Sequence, residues 1–166
     1  MATPVFYSFH FDNDVFRVQL IRNIGALEDN KPVSPNVWEE VRRSGDEAIK
    51  RWIAGNMNYR RCVIVLVGLE TAERRWVRYE IEKAWNDGKG LFGIYVHNLR
   101  CPRNGTCAKG ANPFAQFRVG QQRLSDRVPC YDPPAANAYR HIATNMEAWV
   151  QRAIAQRRAV AGLRDL

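Results

Sequence analysis

The stretch "CVIVLVG", residues 62–68, decides the fold of this 166-residue chain. It is a continuous apolar run rich in β-branched residues, which is typical of a strand buried on both faces of a parallel sheet. Two further runs have the same character, "VFYSF" at residues 5–9 and "GLFGIYVH" at residues 90–97. We therefore predict a sheet that contains at least these three strands.

Helical patterns separate the strands. They cover residues 12–25, residues 37–55 as one helix or a broken helix that ends at Gly55, residues 74–85, and a terminal helix after "DPPA". This alternation predicts a three-layer, flavodoxin-like α/β domain with a mostly parallel sheet of about five strands. The remaining strands are expected within residues 26–36 and at residues 127–131. The whole chain, 1–166, is predicted to be a single domain with a flexible tail at 157–166.

Composition excludes several classes of protein. The net charge is +8, but the basic residues occur in scattered pairs, which argues against a nucleic-acid-binding stripe. No run of about 18 apolar residues is present, so we expect no membrane span. The first residues lack the pattern of a signal peptide, which predicts a cytoplasmic protein.

The cysteines give no clear metal motif. Cys62 opens the central apolar run and is predicted to be a buried small hydrophobe. A zinc site from His97, Cys101, Cys107 and Cys130 is conceivable, but the spacings match no common pattern. We expect no metal, and the role of Cys101 and Cys107 is left open.

Two nucleotide or phosphate motifs are rejected. "GKGLFG", residues 88–93, matches GxGxxG but follows a helix and leads into a strand, the reverse of a dinucleotide fingerprint. A phosphoaccepting receiver would need an aspartate at the end of the central strand, where this chain has none. Asp12 and Asp14 are instead interpreted as charges at a helix N-terminus.

The helix "RRWVRYEIEKAW", residues 74–85, carries the main candidate residue. Glu80 lies at the edge of the face predicted to be buried, and Trp76 lies one turn earlier on the same flank. One interpretation is an ion pair between Glu80 and an arginine such as Arg17 or Arg78. The other is a partly desolvated carboxylate in a cleft, which could stabilise an oxocarbenium-like transition state or bind ribose hydroxyls.

Further candidates follow the first predicted strand, because ligands of parallel sheets bind at the carboxyl ends of the strands. Ser8, Phe9 and His10 lie there, and His10 is the histidine best placed for a ligand. Trp38 follows a proline-rich loop. It either packs the start of a helix or presents a flat face to a ring.

Four segments resemble one family. "VFYSFHFDNDVFRVQLIRN" at 5–23, "RRWVRYEIEKAW" at 74–85, "GIYVHNL" at 93–99 and "KGANPF" at 109–114 together resemble the TIR-like proteins of bacterial Thoeris anti-phage systems, the ThsB type. The resemblance implies a TIR fold that uses NAD+ as its substrate. It implies that Glu80 is the catalytic residue and that Trp76 walls the nucleotide pocket. It also implies that Ser8, Phe9 and His10 form the opposite wall, with Trp38 at the family's mobile loop.

The resemblance also implies a reaction and partners. Such proteins convert NAD+ into a cyclic ADP-ribose isomer, with no metal and no bound cofactor, and the product activates an effector of the ThsA type. Self-assembly into a homo-oligomer is conceivable, and the pocket could be shared between copies. The alternative is a non-catalytic TIR interaction module that acts by assembly. The sequence identifies neither the product isomer nor the infection trigger.

Overall fold

The computed structural model describes residues 3–22, 40–100 and 105–162, without the side chains at 11–13 and 15. The main elements, in chain order, are β1 (Val5–Ser8), α1 (Phe11–Arg22), α2 (Asp46–Met57), β2 (Cys62–Val67), α3 (Arg75–Asn86), β3 (Gly90–Tyr95), β4 (Arg118–Val119), β5 (Gln122–Arg123), β6 (Cys130–Tyr131) and α4 (Ala138–Ala159). One-turn 3-10 segments lie at Thr71–Glu73, Pro113–Gln116 and Leu124–Asp126.

The main sheet has the order β1-β2-β3-β6, and all its neighbouring strands are parallel. Ser8 at the end of β1 pairs with Val65, and Val67 at the end of β2 pairs with Tyr95. β4 and β5 form a separate antiparallel pair. The predicted parallel α/β sheet is therefore confirmed, while the strand expected within residues 26–36 lies outside the described residues.

Side-chain alternation along β2 builds a core on each face of the sheet. Cys62, Ile64 and Leu66 pack with α1 and α4, whereas Val63, Val65 and Val67 pack with α2 and α3. All six residues of β2 are completely buried. This is the three-layer arrangement that the apolar run at residues 62–68 predicts. None of the helices in the described ranges is long and apolar enough to cross a membrane.

The predicted helix at residues 37–55 is broken and ends later than expected. Residues 40–43 are helical, Gly45 has a positive φ of 94°, and α2 then starts at Asp46. The helix passes through Gly55 because Ile53 and Met57, on its inner side, are both fully buried. Packing of an apolar face outweighs the low helix propensity of one exposed glycine.

The C-terminal helix differs from the predicted flexible tail. α4 continues to Ala159, and Arg157 is only 3% exposed. Its Nη2 donates to the Trp85 carbonyl at 2.8 Å, and the guanidinium lies 4.2 Å from the centre of the Trp85 ring. The arginine therefore anchors the end of α4 to the end of α3, a contact that hydrophobic periodicity cannot indicate.

Candidate functional site

Glu80 is buried beneath the carboxyl edge of the sheet. It lies on α3 among the apolar residues of the inner face and is 8% exposed. Ser8, the last residue of β1, is 1% exposed and lies on the same side of the sheet as Phe6, which packs with α2 and α3. The structure thus brings the predicted catalytic residue and one predicted binding residue together.

The environment of Glu80 favours its neutral form. Burial raises the pKa of Glu80 to about 8, and the Ser8 hydroxyl opposes that rise. The opposition is weak, because Ser8 Oγ is buried without a partner in hydrogen-bond geometry among the described residues. Near pH 7 the carboxyl is therefore mostly protonated until a positive charge approaches it.

Neither arginine considered as an ion-pair partner of Glu80 forms that pair. Arg17 instead contacts Asp14, and Arg78 donates to the Gln116 side chain. Across the described ranges, no salt bridge involves Glu80. A buried acid without a cation is destabilising when it ionises, which makes it an unusual choice for a purely structural position.

Trp76 lies one turn before Glu80 and is half-buried against the same core. The edge of its ring faces Tyr79, with centroids 5.6 Å apart. The Arg75 guanidinium lies 4.7 Å from the centre of the indole and also contacts Asp46 Oδ2 at 2.6 Å. An aromatic surface with an adjacent cation suits a planar ring and a nearby negative charge.

The other predicted binding residues are placed differently. Phe9 packs against the core on the α1 and α4 side of the sheet, away from the side that holds Glu80. His10 Nδ1 lies 4.0 Å from Glu70 Oε2, just above the end of β2. Trp38 lies outside the described residues.

The zinc site that the sequence leaves conceivable receives no support from the described residues. His97 Nε2 lies 3.8 Å from Asp132, and the Cys107 amide donates to the His97 carbonyl. Within the described ranges, no three His, Cys, Asp or Glu side chains are grouped to hold a metal ion. Cys101 lies outside those ranges.

Sequence reasoning missed one cluster at the same edge. Asp14, interpreted above as a charge at a helix N-terminus, is 1% exposed and contacts Arg17 and Thr71. Burial raises the pKa of Asp14, and Arg17 opposes the rise. The spacing of Asp14 and Arg17 by three residues was the available signal, but on the surface such pairs are common.

Comparisons with known proteins agree with this geometry. The family described as "Thoeris protein ThsB, TIR-like domain" matches residues 6–101, a range that includes Ser8, Trp76 and Glu80. A protein of Bacillus cereus (strain MSX-D12) named "Putative cyclic ADP-D-ribose synthase ThsB1" is 36% identical over 131 residues, which is 76% of this chain and 67% of that relative. The chain therefore belongs to the Thoeris ThsB family of TIR-like proteins.

Proposed function

We propose that this protein cleaves NAD+, releases nicotinamide and forms a cyclic ADP-ribose-type signal, with Glu80 as the catalytic residue. The observation that carries the proposal is a buried carboxyl group at the carboxyl edge of a parallel sheet that forms no salt bridge with any of the described residues. The name of the B. cereus relative, a cyclic ADP-D-ribose synthase, supports the same reaction.

The chemistry suits such a carboxyl group. The bond between the nicotinamide nitrogen and the ribose carbon breaks, and its electron pair neutralises the pyridinium. Positive charge then develops on the ribose, where the Glu80 carboxylate would stabilise it. Glu80 must ionise for this role, and the cationic nicotinamide ring of NAD+ favours ionisation by lowering the pKa of Glu80 in the complex. No metal or bound cofactor takes part in these steps.

Cyclisation then requires a nucleophile from the same nucleotide. A ribose hydroxyl or an adenine nitrogen forms a new bond to the ribose carbon, which closes the ring, and the proton displaced from the attacking group is released to solvent. Holding both ends of the nucleotide together supplies an effective molarity far above that of a free group, and exclusion of water suppresses hydrolysis. We assign Trp76 and Ser8 to the walls of this pocket, and we propose binding roles for Phe9, His10 and Trp38.

The proposed product acts on a partner effector of the ThsA type in anti-phage defence, and the protein could assemble with further copies. The alternative function is a non-catalytic TIR module that acts by self-assembly. A scaffold gains nothing from a buried, unpaired carboxyl group, whose ionisation opposes folding. The environment of Glu80 therefore favours the enzyme.

The decisive experiment separates the products of NAD+ by chromatography and mass spectrometry. Wild-type protein should release nicotinamide and a cyclic product, either when purified or in lysates of phage-infected cells that produce it. Glu80→Gln should lose both products while remaining folded. Glu82→Gln, an exposed position on the same helix, should retain activity and serves as the matched control. Full turnover by Glu80→Gln would assign the chemistry elsewhere, and phage protection by that variant would support the scaffold.

A further inference from the structure

A second group of buried polar atoms at the carboxyl edge is centred on Arg17, which is 3% exposed. Its Nε donates to the Leu99 carbonyl and its Nη2 donates to the Gly105 carbonyl, both at 3.0 Å. Its Nη1 lies 3.4 Å from Asp14 Oδ1. Leu99 and Gly105 belong to the loop at residues 96–112, whose residues 101–104 lie outside the described ones. The arginine therefore connects Leu99 and Gly105, which lie on either side of residues 101–104, to α1.

Asp14 connects the same arginine to the segments that hold the candidate site. Its Oδ2 accepts from Thr71 Oγ1 at 3.5 Å, and that hydroxyl accepts from the Gly68 amide at 2.8 Å. Its own amide donates to the His10 carbonyl at 3.0 Å. Gly68 follows β2, and Thr71 precedes α3. Asp14 thus connects, through its amide and its carboxylate, the segment after β1, the end of β2 and the approach to the helix that carries Glu80.

Two glycines permit close contacts at the end of β2, one with Asp14 of α1 and one with the loop. A Cβ at Gly68 would lie 2.1 Å from Asp14 Oδ2, and a Cβ at Gly110 would lie 2.0 Å from the Gly68 carbonyl oxygen. A side chain at Gly110 would push its backbone away from that of Gly68, whereas a side chain at Gly68 would displace the Asp14 carboxylate. The loop therefore rests on the end of β2 at Gly110 as well as being held by Arg17. β2 is the neighbour of β1, where Ser8 lies.

Stability alone does not account for this arrangement. A buried ion pair recovers little more than the energy lost on removing two charges from water, and apolar residues of similar size are often as stabilising. The guanidinium instead fixes geometry, because its planar array of N–H donors holds three acceptors in fixed relative positions. That property is useful where a loop must lie in one position beside a reacting group.

We propose that Arg17 is a positioning residue that holds the described parts of the loop, residues 96–100 and 105–112, against the mouth of the nucleotide site, so that the ribose is attacked by its own nucleotide and not by water. The inference rests on the proposed NAD+ cleavage. In both cyclisation and hydrolysis, the nicotinamide leaves with the electron pair of the broken bond. In cyclisation a group of the same nucleotide forms the new bond, whereas in hydrolysis water does so, loses a proton and gives linear ADP-ribose.

The test measures the ratio of cyclic to linear product together with total nicotinamide release. Arg17→Lys keeps the charge beside Asp14 but cannot reach three acceptors, and Gly110→Ala disturbs the second contact without changing any charge. The matched controls are Arg51→Lys, which is exposed on α2, and Gly55→Ala, where a Cβ meets nothing within 4 Å. Circular dichroism and thermal unfolding establish that each variant is folded.

We expect both loop variants to release nicotinamide while the linear share of product rises at least about threefold, with the controls unchanged. A purely structural role would lower total turnover and leave the ratio as it is. Should Arg17→Lys fail to fold, Gly110→Ala alone decides. An unchanged ratio in the folded variants overturns this inference but not the proposed function. Wild-type protein that forms no cyclic product, both purified and in infected lysates, overturns both.

Discussion

Replacing Glu80 with glutamine should stabilise the protein as the pH rises, while abolishing the proposed activity. The pKa of Glu80 is about 8 in the folded protein, against 4.5 for an ordinary glutamate. The folded state therefore keeps a proton that the unfolded chain loses. The stability that this provides is complete below about pH 4.5 and is lost as the pH rises towards 8. Glutamine has the same shape and does not titrate.

The magnitude follows from the two pKa values. Integrating proton binding between pH 5 and pH 8 gives a loss of roughly 3–4 kcal/mol in the free energy of unfolding of the wild type relative to the variant. The glutamine amide has its own desolvation penalty, but that penalty does not vary with pH. The difference between the two pH values therefore isolates the carboxyl group.

Urea unfolding of both proteins at pH 5 and pH 8, at constant ionic strength, measures this difference. Glu82→Gln, which is exposed on the same helix, should show almost the same difference from wild type at both pH values. The reasoning fails if the advantage of Glu80→Gln is equal at both pH values. It fails equally if the variant becomes relatively less stable as the pH rises, since that would mean a cation stabilises the Glu80 carboxylate.

Four further outcomes are expected. The kcat/KM for NAD+ should rise with pH through an apparent pKa of about 8. The kcat should reach its plateau at a lower pH than kcat/KM does, because the bound pyridinium lowers the pKa of Glu80. A flat kcat/KM between pH 6 and 9 contradicts this. Trp76→Ala should raise KM about tenfold and Trp76→Phe much less, as steady-state kinetics would measure. Arg157→Ala should lower the free energy of unfolding by about 2–4 kcal/mol in urea titrations because the buried contacts of the guanidinium with the Trp85 carbonyl and ring are lost, whereas the exposed Arg158→Ala should change it little. Gly68→Ala should reduce both stability, by about 1–3 kcal/mol, and nicotinamide release, and a wild-type melting temperature would contradict the close approach of Asp14.

The strands and the central helix could be predicted from sequence because burial leaves a direct trace in composition. The run at residues 62–68 is apolar because both faces of β2 are covered. The position of Glu80 was indicated by helical spacing, but its burial was underestimated because periodicity places residues around one helix and says nothing of what lies opposite. Ser8 covers Glu80 only once β1 has joined the folded sheet.

The buried charges could not be predicted in this way. Asp14 and Arg157 occupy positions that a hydrophobicity pattern assigns to solvent, and each is buried by residues more than 50 positions away. A long-range hydrogen bond to a backbone carbonyl, such as that from Arg157 to Trp85, leaves no mark at the accepting residue. For the same reason the role of Arg17 at the loop became visible only with the fold.

The contact between Arg157 and Trp85 also has a consequence for biosynthesis. The two residues are 72 positions apart, so the donor is translated long after the α3 helix that it completes. Until Arg157 has left the ribosome, the Trp85 carbonyl has the local Gly88 amide as a donor but lacks the guanidinium that also covers the Trp85 ring. The helix that holds Glu80 is therefore anchored to α4 late in translation, and a nascent chain would acquire its NAD+-consuming activity only after most of its length had been made.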